Sequence, residues 1–396
     1  MSWLDSLKMQ ASTFKRAPYL LSCLLLFLVG CLFSLSACEK NPSVAAPKSE
    51  FLSYDTVKAW DITSFAAWGD KPQLFYDSLG KEIDLLTFAK KTGVNTLRLR
   101  ILTGKPSYPH ATINQLLTFA KKAKEHRFAL WLDFHYSDVW ADPGNQSTPA
   151  QWVKLSLSDL TDSMQDYTFK VVKLFTEQGT EPSIVQIGNE ISPGMLWPLG
   201  KFNGKSDEAN TLAKLFNAGA EGAKRAAPNT KIMLHLAGNA STITWITGYF
   251  QQAPFNFDLW GFSYYGFWHG CETSNFLIAC ETICNNTKKP FVIAETAQPF
   301  TLDWLDQCHN AIGNANQLCS GFNANPKNQL NWLSMLWSAG KQKNNFRGMA
   351  YWEPAFVTQK EFSCDSQLNG GGSGWENMCL FDFNHHALPA AYFNWK

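Results

Sequence analysis

The chain is predicted to fold as a single α/β domain, a closed (β/α)8 TIM barrel. Three features carry that expectation. Short apolar runs recur eight times, each leading into a polar loop and, in most cases, a stretch of helical periodicity. No Gly-rich nucleotide turn follows the first run, which argues against the rival open doubly wound sheet. The 396 residues are 45% hydrophobic and only 17% charged, which suits a large core and excludes a disordered chain or a coiled coil. The sequence shows no repeat of fixed period and no second domain.

The expected strands, in order, are residues 60–64, 94–101, 128–135, 183–188, 230–235, 259–263, 290–295 and 346–352. Helical patterns lie between them, at 81–92, 112–126, 160–178 and 210–226. In the second strand Arg98 and Arg100 are two apart and share one face, while Leu97, Leu99 and Ile101 take the other. With the aliphatic face against the helices, both arginines point into the barrel and need carboxylate partners.

Residues 1–37 read as an export signal. Lys8, Lys15 and Arg16 precede an apolar run over 19–37. The run ends Leu35-Ser36-Ala37-Cys38, followed by polar Glu39 and Lys40. This resembles a bacterial lipoprotein processing site, which implies a membrane anchor on lipidated Cys38. Leu28-Val29-Gly30-Cys31 has the same form, but cleavage there would leave apolar 32–35 on the mature chain. An uncleaved anchor is the alternative, since the run is long enough to span a bilayer. In each case the body leaves the cytoplasm. Residues 38–55 then form a polar tether and 56–396 the (β/α)8 domain.

Export permits disulfides. Seven cysteines lie beyond Cys38. Cys308/Cys319 and Cys364/Cys379 each bracket a short polar stretch and are the expected bridges, Cys271 pairs with Cys280 or Cys284, and one thiol is left over. No pair has the Cys-x-x-Cys spacing of a zinc site. Lys and Arg number 34 against 33 Asp and Glu, so no charge excess points to nucleic acid as a partner. Sixteen Trp suit flat sugar rings as well as a core. A monomer is expected.

Polar side chains collect where the strands end, the functional face of such a barrel. Strand three closes in Asp133, His135 and Asp138, strand four in Asn189-Glu190, strand seven in Glu295-Thr296. Two converging carboxyls point to glycoside hydrolysis, which needs one acid for the leaving oxygen and a second carboxylate to attack or to activate water. The alternative is that each Glu only balances an arginine. Two of them at apolar strand ends, one preceded by Asn, favour catalysis.

The segment 133–146 (Asp-Phe-His-Tyr-Ser-Asp-Val-Trp-Ala-Asp-Pro-Gly-Asn-Gln) resembles the signature loop of glycoside hydrolase family 53, the endo-β-1,4-galactanases. So do 185–190, 263–270, 292–296, 351–355, 374–377 and 380–383. The resemblance runs in order from about Trp60 to the C-terminus. It implies a retaining mechanism with Glu190 as acid/base and Glu295 as nucleophile, their carboxyls roughly 5–5.5 Å apart. The substrate would be β-1,4-galactan or arabinogalactan.

Around that pair, Arg100 is expected to hold Glu295 ionised and Asn189 to grip the sugar 2-hydroxyl. His135, Asp138 and His235 would bind hydroxyls. Tyr264 or Tyr265 would donate to the nucleophile, and Trp352 would floor the sugar subsite. Trp140, Trp268 and Trp375 are stacking residues for outer subsites, and Glu353 is an arginine partner. No cofactor is required. Bacterial members often bind calcium in the loop after strand seven, where Asp303, Asp306 and Asn310 are spaced as oxygen ligands, but Cys308 sits among them. Gly266 and Cys271 also depart from the family pattern. Two other readings compete: a sister hydrolase acting on mannan or glucan, and a glycan-binding lipoprotein without activity. Retention of both glutamates argues against the second.

Overall fold

A computed structural model describes residues 50–69, 73–106, 110–306, 308–357 and 373–395. The expected signal, Cys31, Cys38, most of the tether and Cys364 lie outside the described residues. Among the described residues no helix is long and apolar enough to cross a membrane.

Eight parallel strands close into a barrel: β1 (Val57–Asp61), β2 (Thr96–Ile101), β3 (Ala129–Phe134), β4 (Ile184–Ile187), β5 (Lys231–Ala237), β6 (Leu259–Ser263), β7 (Phe291–Glu295) and β8 (Phe346–Tyr351). Each pairs with its sequence neighbour, and β1 pairs with β8 to complete the ring. Helices α1 (Leu85–Lys91), α2 (Ile113–Glu125), α3 (Leu157–Glu177), α4 (Ser206–Ala226), α5 (Ala240–Phe250), α6 (Thr273–Thr287) and α7 (Pro326–Lys341) follow the first seven strands. The fold class is the expected one.

Local chemistry sets the boundaries. Asp84, Thr112, Ser156, Asn239 and Asn325 each cap a helix by accepting a backbone N–H three residues on. Thr112 and Gln115 complete a capping box. The first strand starts three residues earlier than expected. Asp61 takes the Thr63 backbone N–H and hydroxyl at 3.3 and 3.0 Å, and the chain turns there into a short helix, Thr63–Ala67.

Alternation along the strands builds two cores. Leu97, Leu99 and Ile101 face the helices in the large outer core. Val57, Trp131, Ile184, Met233, Leu259 and Val292 belong to a separate cluster that plugs the barrel interior. Above that plug the inward positions become charged, beginning with Asp61, Arg98 and Asp133, all buried.

The cysteines pair differently from expectation. Cys271, after β6, bonds to Cys319, after β7, across 48 residues. Sequence spacing favours short loops, but adjacency in the barrel decides. The bridge requires Gly266, because any Cβ there would collide with the Cys319 sulfur. Cys319 is therefore not available to Cys308. Cys280 and Cys284 are buried thiols on α6, not partners of Cys271, and Cys379 is also a buried free thiol.

The closing seam has its own constraint. Gly348 in β8 lies in register with Val57 in β1 and has a φ of 116°, inside a stretch where the β7–β8 register shifts. A Cβ there would overlap the Val57 carbonyl oxygen, a backbone atom that cannot move without opening the barrel. Gly348→Ala is expected to destabilise the fold by about 3 kcal/mol or more, through strain at a left-handed position. Denaturant unfolding checks this, and a midpoint within error of wild type would contradict it.

Candidate active site

A cleft of about 1060 Å³ lies over the C-terminal ends of the strands, with Asn189, Glu190, Tyr265, Glu295 and Trp352 in its lining. Its base is Arg98. The guanidinium is buried and lies 2.7 Å from Asp61, 2.9 Å from Asp133 and 2.9 Å from Glu295. It also donates to Gln186 Oε1 at 3.2 and 3.1 Å and to Asn189 Oδ1 at 2.9 Å. Burial opposes its charge, but the three carboxylates outweigh burial and keep it cationic.

The arginine that meets Glu295 is thus Arg98 and not Arg100. Arg100 sits one inward position higher, with its guanidinium 3.7 Å from the centre of the Trp140 ring and 4.0 Å from Glu353. It is buried beneath Trp140, so the expectation that it would serve Glu295 and the substrate is corrected. Glu353 is the arginine partner expected of it.

Glu295 points into the barrel because of a bulge. Strict alternation would place Val292 and the residue two further on, Ala294, inside and Glu295 outside. The β6–β7 register runs Phe262 to Ile293 and then Ser263 to Glu295, skipping Ala294. The extra residue turns the carboxyl inward. Tyr265 donates its hydroxyl to Glu295 Oε2 at 3.0 Å. Tyr264 takes the other direction, into the core, where it stacks on Phe276 and donates to Gly270 O.

Glu190 follows the end of β4 through Gly188, at φ 79°, and is itself at φ 49°. Gly188 admits no Cβ beside Ile191, and a non-glycine residue with positive φ is held by its surroundings. Gln146 Nε2 binds Asn189 O at 2.7 Å, and Glu190 N donates to His235 Nδ1 at 3.3 Å. His235 Nε2 meets Ser263 Oγ at 2.9 Å, and the Ser263 hydroxyl hydrogen-bonds the Glu190 carboxyl. Burial, then Arg98, pushes the His235 pKa well down, so the ring is neutral.

A carboxylate oxygen of Glu190, one of Glu295 and a ring nitrogen of His235 lie within 4.8 Å of one another. Inverting enzymes separate their carboxyls by about 6.5–9.5 Å to admit a water, so this pair falls on the retaining side. Both ring nitrogens of His235 are engaged by neighbouring side chains, Nδ1 by Gln186 and Nε2 by Ser263. Burial pushes the Glu295 carboxyl up to about 7 against the pull of Arg98. Burial and the Glu295 charge push Glu190 well above the carboxylate range, with Arg98 only a minor counterweight. Of the two, only Glu295 is paired with the guanidinium, which favours its ionised form.

The other expected residues divide. His135 lines the cleft, bonded to Asp133 at 3.0 Å and accepting from Ala141 N at 3.0 Å. Asn189 lines it beside Glu190, its side chain fixed by Arg98 and Ala141 O. Trp352 forms a floor between Trp140 and Trp375, with ring centroids at 5.6 and 4.2 Å. Trp268 is 44% exposed at the rim. Asp138 does not line the cleft. It accepts from the Thr103 hydroxyl and Ala150 N and closes the β3 loop. His235 is fully buried behind Glu190, so neither of these two residues is in the cleft lining.

The loop after β7 carries Asp303, Asp306 and Asn310, the residues expected as calcium ligands. Asp303 takes the Thr301 hydroxyl, Asp306 takes the Cys308 and Ser373 backbone N–H groups, and Asn310 donates to Asp303 O. Asn310 Oδ1, the oxygen that would face an ion, is buried and has no hydrogen-bond partner among the described residues.

Sequence reasoning missed Gln146, Gln186 and Trp245 as site residues. Gln186 does sit two residues before Gly188 on the inward face of β4. Trp245 has a clearer signal, a lone Trp on the polar face of α5, where it is 50% exposed in the cleft wall.

Residues 57–393 match the model of glycosyl hydrolase family 53. An arabinogalactan endo-β-1,4-galactanase of Cellvibrio japonicus is 29% identical, over 80% of this chain and 85% of its own length. An endo-β-1,4-galactanase of Bacillus subtilis is 26% identical over 87% and 86%. The solved catalytic domain of this family from Ignisphaera aggregans superposes with a TM-score of 0.78 at 30% identity, covering 87% of this chain and 97% of that one. With the match extending over the whole barrel, the chain belongs to glycosyl hydrolase family 53.

Proposed function

We propose that the protein is an endo-acting, retaining β-1,4-galactanase. The observation that carries the chemistry is the Glu190–Glu295 pair, close together in unlike surroundings. The galactanase names of the family relatives support the substrate. A cleft with lining on both sides of the pair supports cleavage within a chain.

In the first step a Glu295 oxygen attacks the anomeric carbon. The glycosidic C–O bond breaks, and the Glu190 proton passes to the leaving oxygen. In the second step Glu190, now a carboxylate, takes a proton from water. The water oxygen attacks the anomeric carbon, Glu295 departs, and Glu190 is again protonated. Tyr265 and Arg98 hold Glu295 for attack and stabilise it on departure. Asn189 is placed to meet the sugar 2-hydroxyl.

Glu190→Ala is expected to lower kcat/KM on debranched β-1,4-galactan by about 10²–10⁴-fold. The loss should be much smaller on a dinitrophenyl galactobioside, which needs no acid, and azide should rescue turnover. Glu295→Ala should abolish both reactions. NMR should show the β-hemiacetal formed first, and an α-hemiacetal formed first would sink the double displacement.

The working form has Glu295 ionised and Glu190 protonated. Activity therefore rises with pH as Glu295 loses its proton and falls as Glu190 loses its own. Tyr265→Phe removes a donor that favours ionised Glu295, so Glu295 titrates higher and the acidic limb moves to higher pH. The kcat/KM should fall about tenfold to a hundredfold, the range for a hydrogen bond to a charged group. An acidic limb that stays put in the variant's pH profile would detach Tyr265 from the nucleophile.

We further propose that the chain is exported and anchored through lipidated Cys38. The apolar run ending in Ala37-Cys38 supports this. In cells expressing the full chain, Cys38→Ala should shift the protein from the membrane fraction to the soluble fraction, whereas Cys31→Ala should not. Retention of the Cys38 variant in membranes would favour an uncleaved anchor.

A further inference from the structure

We infer that Trp245 is the stacking platform for the sugar on the leaving-group side of the scissile bond. The inference rests on the galactanase reading above and extends it to a subsite.

The cleft has two aromatic walls. One is built on loops after β6, β7 and β8, on the Glu295 side, and carries Trp268 and Trp375. The other is built on the loop after β4 and on α5, beyond Glu190, and carries Phe202, Asn203 and Trp245. Glu190 must deliver its proton to the leaving oxygen. The departing sugar therefore lies on the Glu190 side, and the β4–β5 wall is what it meets.

Trp245 there is a built surface and not a stray exposed side chain. Gly204, at φ 97°, brings the loop backbone against the indole: a Cβ at Gly204 would come within 2.6 Å of Trp245 Cζ2 and 2.9 Å of Cη2. Phe202 and Tyr249 brace the ring at centroid distances of 5.8 and 5.5 Å. With that backing, the ring is still 50% exposed. Beside it Glu208 accepts from Asn203 N at 2.7 Å and from its side-chain amide at 3.4 Å, which steadies that residue next to the ring. A flat apolar face beside a fixed amide matches a galactopyranose. Its axial 4-hydroxyl leaves the C3, C4 and C5 hydrogens as an apolar patch on one ring face.

The test compares two substrates in the whole protein. Debranched β-1,4-galactan places a sugar on the Glu190 side. A β-galactobiosyl fluoride has no ring in its leaving group. Trp245→Ala is expected to lower kcat/KM on galactan about tenfold, the loss of one stacking contact. It should leave the fluoride within twofold of wild type. It should also cut transfer of the galactobiosyl group to added galacto-oligosaccharide acceptors, relative to hydrolysis, by a similar factor. Trp245→Phe should restore most of each loss. Equal losses on both substrates, or no loss on galactan, overturn the platform. A wild type active on the fluoride but inert on galactan overturns the galactanase reading and the subsite with it.

Discussion

One guanidinium organises this molecule. Arg98 is buried at the base of the cleft and touches carboxylates from β1, β3 and β7. A buried charge without partners would be strongly destabilising, and three partners give the barrel interior a negative excess. That excess has a chemical consequence. Arg98 contacts Glu295 directly and reaches Glu190 only through space, so the two glutamates are not equivalent although both are buried. A further negative charge on Glu190 would join three carboxylates already sharing one cation. Glu190 keeps its proton for the same reason that Glu295 gives one up.

Much of the fold was legible because a barrel strand buried on both faces has to be apolar. All eight runs recur as strands, and the carboxyls at the ends of β4 and β7 could be placed from that alone. What failed depended on depth and register. Period-two alternation put Arg98 and Arg100 on one face, and that is where they are. Choosing between them needed the height of Glu295, which a one-residue bulge sets and no periodicity reveals. Strict alternation would even have turned Glu295 outward. The expectation for Arg100 did not include Trp140, which the β3 loop folds over it.

The cysteines show the same limit. Short spacing in the chain made Cys308 and Cys319 look like partners, but barrel neighbours meet through their loops. The bridge found instead, Cys271–Cys319, ties the loop after β6, which carries Trp268 and His269, to the loop after β7. The wall on the nucleophile side is thus cross-linked covalently, while the wall on the acid side is held by ring packing and by Gly204. Asp138 and His235 stand outside the cleft lining for a related reason. A polar residue at a strand end can serve the loop or the layer beneath the site as easily as the substrate.

His235 shows how a residue buried behind the cleft can fix the acid. Because the ring is neutral, its nitrogens have opposite roles. Nδ1 faces two N–H donors, Glu190 N and Gln186 Nε2, against one acceptor, Asn189 Oδ1 at 3.0 Å; with Nδ1 accepting, Nε2 carries the hydrogen and gives it to Ser263 Oγ. The Ser263 hydroxyl then points its own hydrogen at the Glu190 carboxyl. The chain of bonds leaves Glu190 from its backbone and returns to its side chain. A residue at φ 49° would relax toward ordinary geometry if only its side chain were held, at a gain of order 1–3 kcal/mol. Held at both ends by one neutral imidazole, it cannot turn without breaking the ring of bonds. The acid's place within 4.8 Å of Glu295 is therefore set by backbone and imidazole together, before any sugar enters the cleft.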